Sequence, residues 1–437
     1  MMRDPVLRLA LPSIVSNITV PLLGIVDTAI SGHMGSPAVV GAIAVGGMLF
    51  NTMFWLFAFL RMSTSGQTAQ ALGRGDYESI LSYLRNGLLK AFVYGAIILI
   101  MSPIILRISF YLIAPEIEIE LLSSTYFYIR IWGLPAVLAM FVLAGWYVGM
   151  GNTRIPMYVA IGQNIVNILI SLFLVYFLGM GISGIALGTA ISDWLGFTLS
   201  FVCYRQVLQD GVTTCCYDSV EGGVCVNDCD CPISGVSLPL FLRTLCMIVV
   251  HFLFVSAGSR QGAVTLAANT VIIYSFVVFS YFMDGFANAG EALVGRAIGA
   301  RDSRMYDSVV RSLFVWGVGI ALLFTALYYV GSGWFLSMLT DSEPVLAVMS
   351  DYKLWVVSVP LVSMAAFIWD GIYIGALRAR YMLLSTALGM AVFLGGCYIF
   401  IPIMGNHGLW LSFVLYLAMR GLVLTFSRHA IVLVGYA

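Results

Sequence analysis

The chain has 437 residues, 61% of them hydrophobic, and its 21 Lys+Arg balance its 21 Asp+Glu. Charged side chains make up 10% of it and the mean hydropathy is +0.98, against about a quarter charged in a soluble domain. Most of the surface must therefore face something other than water, which implies an all-α polytopic membrane protein. Its apolar runs are continuous where barrel strands would alternate, and zero net charge lacks the basic footprint a nucleic-acid partner needs.

Apolar runs fall at about 6–32, 41–67, 86–110, 122–149, 156–178, 182–205, 238–258, 264–292, 309–331, 350–376, 382–402 and 408–430. At roughly 20 residues per crossing, these predict twelve transmembrane helices. The first run carries Pro12, Pro21 and Asp27, where a cleaved signal sequence would be plainly apolar, so it belongs to the mature chain. With both termini cytoplasmic, twelve Arg lie in the inner tails, loops and adjoining span ends and three Lys/Arg on the outer side, the sense the positive-inside rule requires. Arg61, Lys90, Arg130, Arg243, Arg311 and Arg420 fall within spans, mostly toward ends where long side chains snorkel.

The first helix presents Ser13, Asn17, Gly24, Asp27 and Ser31 on one polar or small face, which should line a cavity. An ionisable group at mid-membrane marks a functional position by default, and Asp27 is the most informative: it can bind and release a proton there. A structural, permanently protonated Asp27 is the alternative reading. Pro12 and Pro21 each remove a backbone hydrogen bond, so this helix is expected to hinge at one or both. Asn164, Asn167 and Ser171 share a face of the fifth span, and Thr189 and Asp193 adjoin a small-residue stripe (Gly184, Gly188, Ser192, Gly196) on the sixth. Such a stripe reads first as helix packing.

The segment 206–237 is the one long polar stretch, with Cys215, Cys216, Cys225, Cys229 and Cys231, five acids and no Lys or Arg. It reads as a cytoplasmic linker between an N-lobe, 1–205, and a C-lobe, 238–437. Cys225 and Cys229 have a spacing a zinc site could use, but the segment lacks His and a C-x-x-C pair, and no metal is expected. Farther on, Asp284 and Asp370 have no Arg within helical reach and must find cross-helix hydrogen bonds or be neutral. Glu291 stands near the cytoplasmic end of its helix and is expected to be solvated.

An internal repeat organises these spans. AQALGRGD at 69–76 aligns with GRAIGARD at 295–302, and YVGMGNTR at 147–154 with YIGALRAR at 373–380, both offset by 226 residues; Gly181 and Gly184 match Gly405 and Gly408 at 224. Six spans per repeat is even, so two six-helix lobes would be related by a pseudo-two-fold axis along the membrane normal. That architecture suits alternating access and points to a transporter.

The residues SNITVPLLGIVDTAISGH (16–33), FLRMSTSGQTAQALGRGD (59–76), DGF (284–286), GARD (299–302) and GNHGLW (405–410) resemble the multidrug and toxic compound extrusion (MATE) family, in its DinF-type branch. The resemblance implies a two-lobe antiporter that expels organic, often cationic, compounds in exchange for protons or sodium. It also implies that Asp27 is the coupling residue, with Asn167 and Thr189 in the polar cluster around it. The branch's second aspartate, four residues after the asparagine, is Ser171 here, which leans toward protons over sodium. The seventh helix holds no acid, so a NorM-type cation site is not carried onto Asp370.

The expectation is a proton-coupled, non-enzymatic multidrug efflux antiporter, monomeric in a bacterial inner membrane. No cofactor is expected beyond the coupling ion, and drug-like small molecules are the partners. Asn17, Asn164, Asp193, Asp284 and Asp370 are candidates for the substrate cavity. The alternatives are sodium coupling and a lipid-linked precursor flippase, which would want a cationic cleft. An embedded enzyme finds no support in Walker A, H-E-x-x-H or G-x-S-x-G motifs.

Overall fold

A computed structural model of the chain describes residues 4–32, 36–218, 234–339, 348–349, 351–429 and 431. It is all helical there: α1 (Pro5–Gly32), α2 (Pro37–Phe57), α3 (Phe59–Arg74), α4 (Tyr77–Ile113), α5 (Ile117–Arg130), α6 (Leu134–Gly149), α7 (Arg154–Leu172), α8 (Gly181–Asp218), α9 (Ser234–Ser259), α10 (Ala263–Gly299), α11 (Ser303–Leu339), α12 (Lys353–Gly375), α13 (Ala379–Met404) and α14 (Asn406–Phe426). Two spans are each built from two helices. α2 and α3 meet at Ala58, and α5 joins α6 through a 3-10 turn, Ile131–Gly133. Among the described residues, eleven such units are long and apolar enough to cross a membrane. Together with the 28-residue α1 they match the twelve expected spans. The 37-residue helices α4 and α10 would measure about 55 Å, well beyond a hydrocarbon core of about 30 Å.

The chain forms two compact units, the first Val15–Cys231 and the second Met1–Ile14 with Pro232–Ala437. The sequence reading put all of 1–205 in the N-lobe; the contacts assign the start of α1 to the second unit. The cause is local. Asp4 accepts hydrogen bonds from Trp316 Nε1 (2.8 Å) and Ser312 Oγ (3.0 Å) of α11, while Ala10 and Ile14 pack so closely on Gly285 of α10 that no side chain would fit there. Burial raises the Asp4 carboxyl pKa, but these bonds and one from the Val6 N–H outweigh it and leave it below the ordinary value. The helix α8 runs on to Asp218, into the expected linker. Cys225 and Cys229, on which the zinc reading rested, lie outside the described residues.

The repeat is visible atom by atom within each unit. Gly149 lies against the Ser65 carbonyl oxygen and Gly375 against that of Glu291, so close that a methyl group would sit 2.6 and 2.8 Å away. Gly145 and Gly371 abut Arg61 and Ala287 in the same way. The Tyr147 hydroxyl donates to Ser200 O (2.5 Å), and Tyr373 to Leu424 O (2.7 Å). After α3 and α10 the chain turns through Gly75 (φ 72°) and Arg301 (φ 55°), and after α6 and α12 through Gly151 (φ 75°) and Leu377 (φ 55°). Asp76 and Asp302 then cap the next helices, accepting from Ser79 N (3.0 Å) and Met305 N (2.9 Å). These shared backbone devices are why the sequence matches cluster after the second and fourth spans of each repeat.

Candidate cation-coupling site

The polar residues of the first unit gather where α7 meets α8. The small stripe on α8 packs as expected: Gly184 against Leu174, Gly188 against Ser171, and Gly196 against Gln163. Close approach of the two backbones lets short side chains bridge them. Asn167 Nδ2 donates to Ser192 Oγ (3.2 Å), and Ser192 Oγ to Thr189 O (2.8 Å). Thr189 itself donates back to Ile185 O within its helix (3.0 Å). Asn167, Ser171, Thr189 and Ser192 are all buried. Asn167 Oδ1 and Ser171 Oγ have no hydrogen-bond partner, so two oxygen acceptors remain open at this seam.

One turn along the same faces lies a charged group. Gln163, four residues before Asn167, donates through Nε2 to Asp193 Oδ1 (2.7 Å); Asp193 follows Thr189 by four on α8. The other carboxylate oxygen, Oδ2, lies against Gly133 of the 3-10 turn, so close that a methyl there would be 2.6 Å from it. Trp194 Nε1 donates to Trp132 O (3.0 Å) and holds α8 to that same turn. Immediately before the turn stands Arg130, whose Nη1 donates to the Tyr126 hydroxyl. Its guanidinium lies over the Phe50 ring, 4.8 Å from the centroid, a cation–π contact. Arg130 interacts electrostatically with both Asp27 and Asp193. Asp27 is buried at 4% exposure, and neither its Oδ1 nor the Arg130 Nε has a partner.

Of the expected coupling residues, Asn167, Ser171 and Thr189 are thus brought to one seam, and Asp27 interacts electrostatically with Arg130 at its charged end. Asp193, expected only to line a cavity, is part of that charged group. Asn164 donates to the Thr19 backbone oxygen of α1 (2.8 Å), pinning that helix two residues before Pro21. Asn17 and Pro12 are half-buried on α1. Pro21 lies in the helical backbone, with its side chain outside the described residues. Sequence reasoning missed Arg130, Tyr126 and Gln163. Arg130 was expected to snorkel, whereas its guanidinium turns inward to Tyr126 and the aromatic rings; Tyr126 and Arg130 standing at i, i+4 was the available signal.

Asp284 and Asp370 belong to the other unit. Asp370, with no Arg within helical reach, was expected to find cross-helix hydrogen bonds or be neutral; its Oδ2 accepts from Arg243 of α9 and from Arg420 of α14, the latter at 2.7 Å. Both arginines are buried there, which corrects the snorkelling assignment. Asp284 is half-buried and interacts electrostatically with Arg420. Glu291, expected to be solvated, is instead buried at 1% exposure, on the stretch of α10 whose backbone Gly375 approaches closely.

Comparison with known proteins agrees with this architecture. The family model MatE matches residues 12–173 and again 239–399, two copies with the spacing of the sequence repeat. The chain is 34% identical to DNA damage-inducible protein F of Escherichia coli K12 over 97% of its own length and 91% of that protein's. It is 30% identical to a "Probable multidrug resistance protein NorM" of Thermotoga maritima over 47% of its length and 45% of that protein's. A solved structure described as MATE in the bent conformation superposes with a TM-score of 0.85 at 18% identity, covering 98% of this chain and 95% of that one. The chain is therefore a member of the MatE family of multi-pass membrane transporters.

Proposed function

We propose that this transporter is a proton-coupled antiporter that exports organic, often cationic, small molecules across a bacterial inner membrane, with Asp27 as the coupling group. The observation that carries the reading is a buried carboxylate with an unpartnered oxygen on α1, the helix that Pro12 and Pro21 weaken. Protonation from the outer side neutralises Asp27 and changes which neighbours it attracts; α1 bends and the N-lobe site contracts, releasing substrate outward. The multidrug resistance name of the Thermotoga relative supports the substrate class. Coupling to sodium is the weaker reading, because Ser171 supplies a neutral oxygen where a two-carboxylate site would hold an acid. Asp27→Asn should yield a folded protein that has lost export driven by an imposed pH gradient in proteoliposomes. Undiminished export by this variant would overturn the assignment, and export that follows a sodium gradient instead would favour the second reading.

A further inference from the structure

The charged group of the first unit contains two carboxylates and one guanidinium, and its charges do not balance. Asp27 comes from α1, Asp193 from α8, and Arg130 and Tyr126 from α5; α7 adds Gln163 and α2 the rings of Phe50 and Phe54, none of which titrates. With both acids ionised, one negative charge is left over among buried side chains, where an uncompensated charge is strongly disfavoured. One bound proton restores neutrality. The hydrogen bonds leave room for exchange: Asp193 Oδ1 is held by Gln163 (2.7 Å) and its Oδ2 lies at the Gly133 turn. Asp27 Oδ1 and Arg130 Nε are an unpartnered acceptor and an unpartnered donor within the same group. Tyr126 and the Phe50 ring hold the guanidinium, which interacts electrostatically with both acids.

We infer that Asp27 and Asp193 share a single proton, with Arg130 as a tethered cation that pairs with whichever carboxylate is ionised. Asp193 is then a second coupling residue, and Arg130 fills the role a mobile metal cation would have between two acids. This inference rests on the proton-antiport reading and adds a distinct expectation: removing an acid and removing the guanidinium must act in opposite directions. Without Asp193, Asp27 and Arg130 form a neutral pair that resists protonation. Without Arg130, two acids face each other and hold a proton more tightly.

The test is the pH midpoint of ethidium export from proteoliposomes, measured as the pH on the proton-supplying side is varied. Asp193→Asn should move the midpoint down, and Arg130→Gln up, each by about one pH unit or more, the usual effect of one nearby charge. Arg130→Lys should stay with the wild type, and the double variant D193N/R130Q should fall between the two single ones. Single-variant midpoints that do not move, or that move together, overturn the inference. Should Arg130→Gln fail to purify as a monodisperse protein, the Asp193→Asn result decides alone, since that change removes surplus charge: an unmoved or raised midpoint refutes the sharing. Wild-type protein that shows no pH-driven export would remove the antiport reading itself, which no result on Asp193 imitates.

Discussion

Asp370 lies between two arginines contributed by helices 127 and 50 residues away in sequence. Its Oδ1 and the Nε atoms of Arg243 and Arg420 have no partner, so the pairing runs through the single shared oxygen, with Tyr416 adding a side-chain hydrogen bond and its ring, 5.5 Å from the Arg420 guanidinium carbon. Replacing a buried partner leaves the opposite charges uncompensated, at a cost of about 3–5 kcal/mol. Asp370→Ala should therefore lower the thermal unfolding midpoint in detergent far more than a lipid-facing change such as Ile100→Ala. Equal midpoints would show the pairing to be immaterial. Helical reach extends only to i±3 and i±4, which is why these partners were illegible in the sequence, whereas Tyr126 and Arg130 on one helix were not.

At the scale of elements, the two repeats keep the same turn geometry with different residues. Gly75 occupies the left-handed region at no steric cost, while its counterpart Arg301, exposed and at φ 55°, bears a strain of about 1–2 kcal/mol. Arg301→Gly should raise stability by about 1 kcal/mol and Gly75→Ala lower it by a similar amount; changes of the same sign would mean that the turns are not equivalent. The GNHGLW segment at 405–410 also gains a structural explanation. Asn406 and Asn269 exchange two hydrogen bonds of 2.8 Å, Trp410 Nε1 donates to Asn269 Oδ1 (2.8 Å), and Trp355 Nε1 donates to His407 Nδ1 (3.1 Å). The motif clamps α14 to α10 and α12. Asn406→Ala would leave the buried Asn269 Nδ2 without its acceptor while Trp410 still donates to Oδ1, costing about 1–3 kcal/mol, measurable as a drop in the same unfolding midpoint. A motif can be recognised by its spelling, but the reason for the spelling needed the neighbouring helices.

For the whole molecule, the asymmetry of basic residues predicts that both termini and the segment 206–237 face the cytoplasm. With Cys203, Cys246 and Cys397 replaced by Ala, a membrane-impermeant maleimide should label the five linker cysteines only in inside-out vesicles. Labelling of intact cells would reverse the orientation.

The number and approximate places of the spans, the two-fold repeat and the candidacy of Asp27 were determined by the sequence alone, because hydrophobic run length and helical periodicity are local properties. The tertiary structure alone decided that α1 begins in one compact unit and continues in the other, that Arg130 interacts electrostatically with both Asp193 and Asp27, and that Asp370 is held by two arginines. The physical reason is the same in each case. A charge in a low-dielectric interior must be compensated across helices, and which helix supplies its partner depends on packing between segments far apart in the chain.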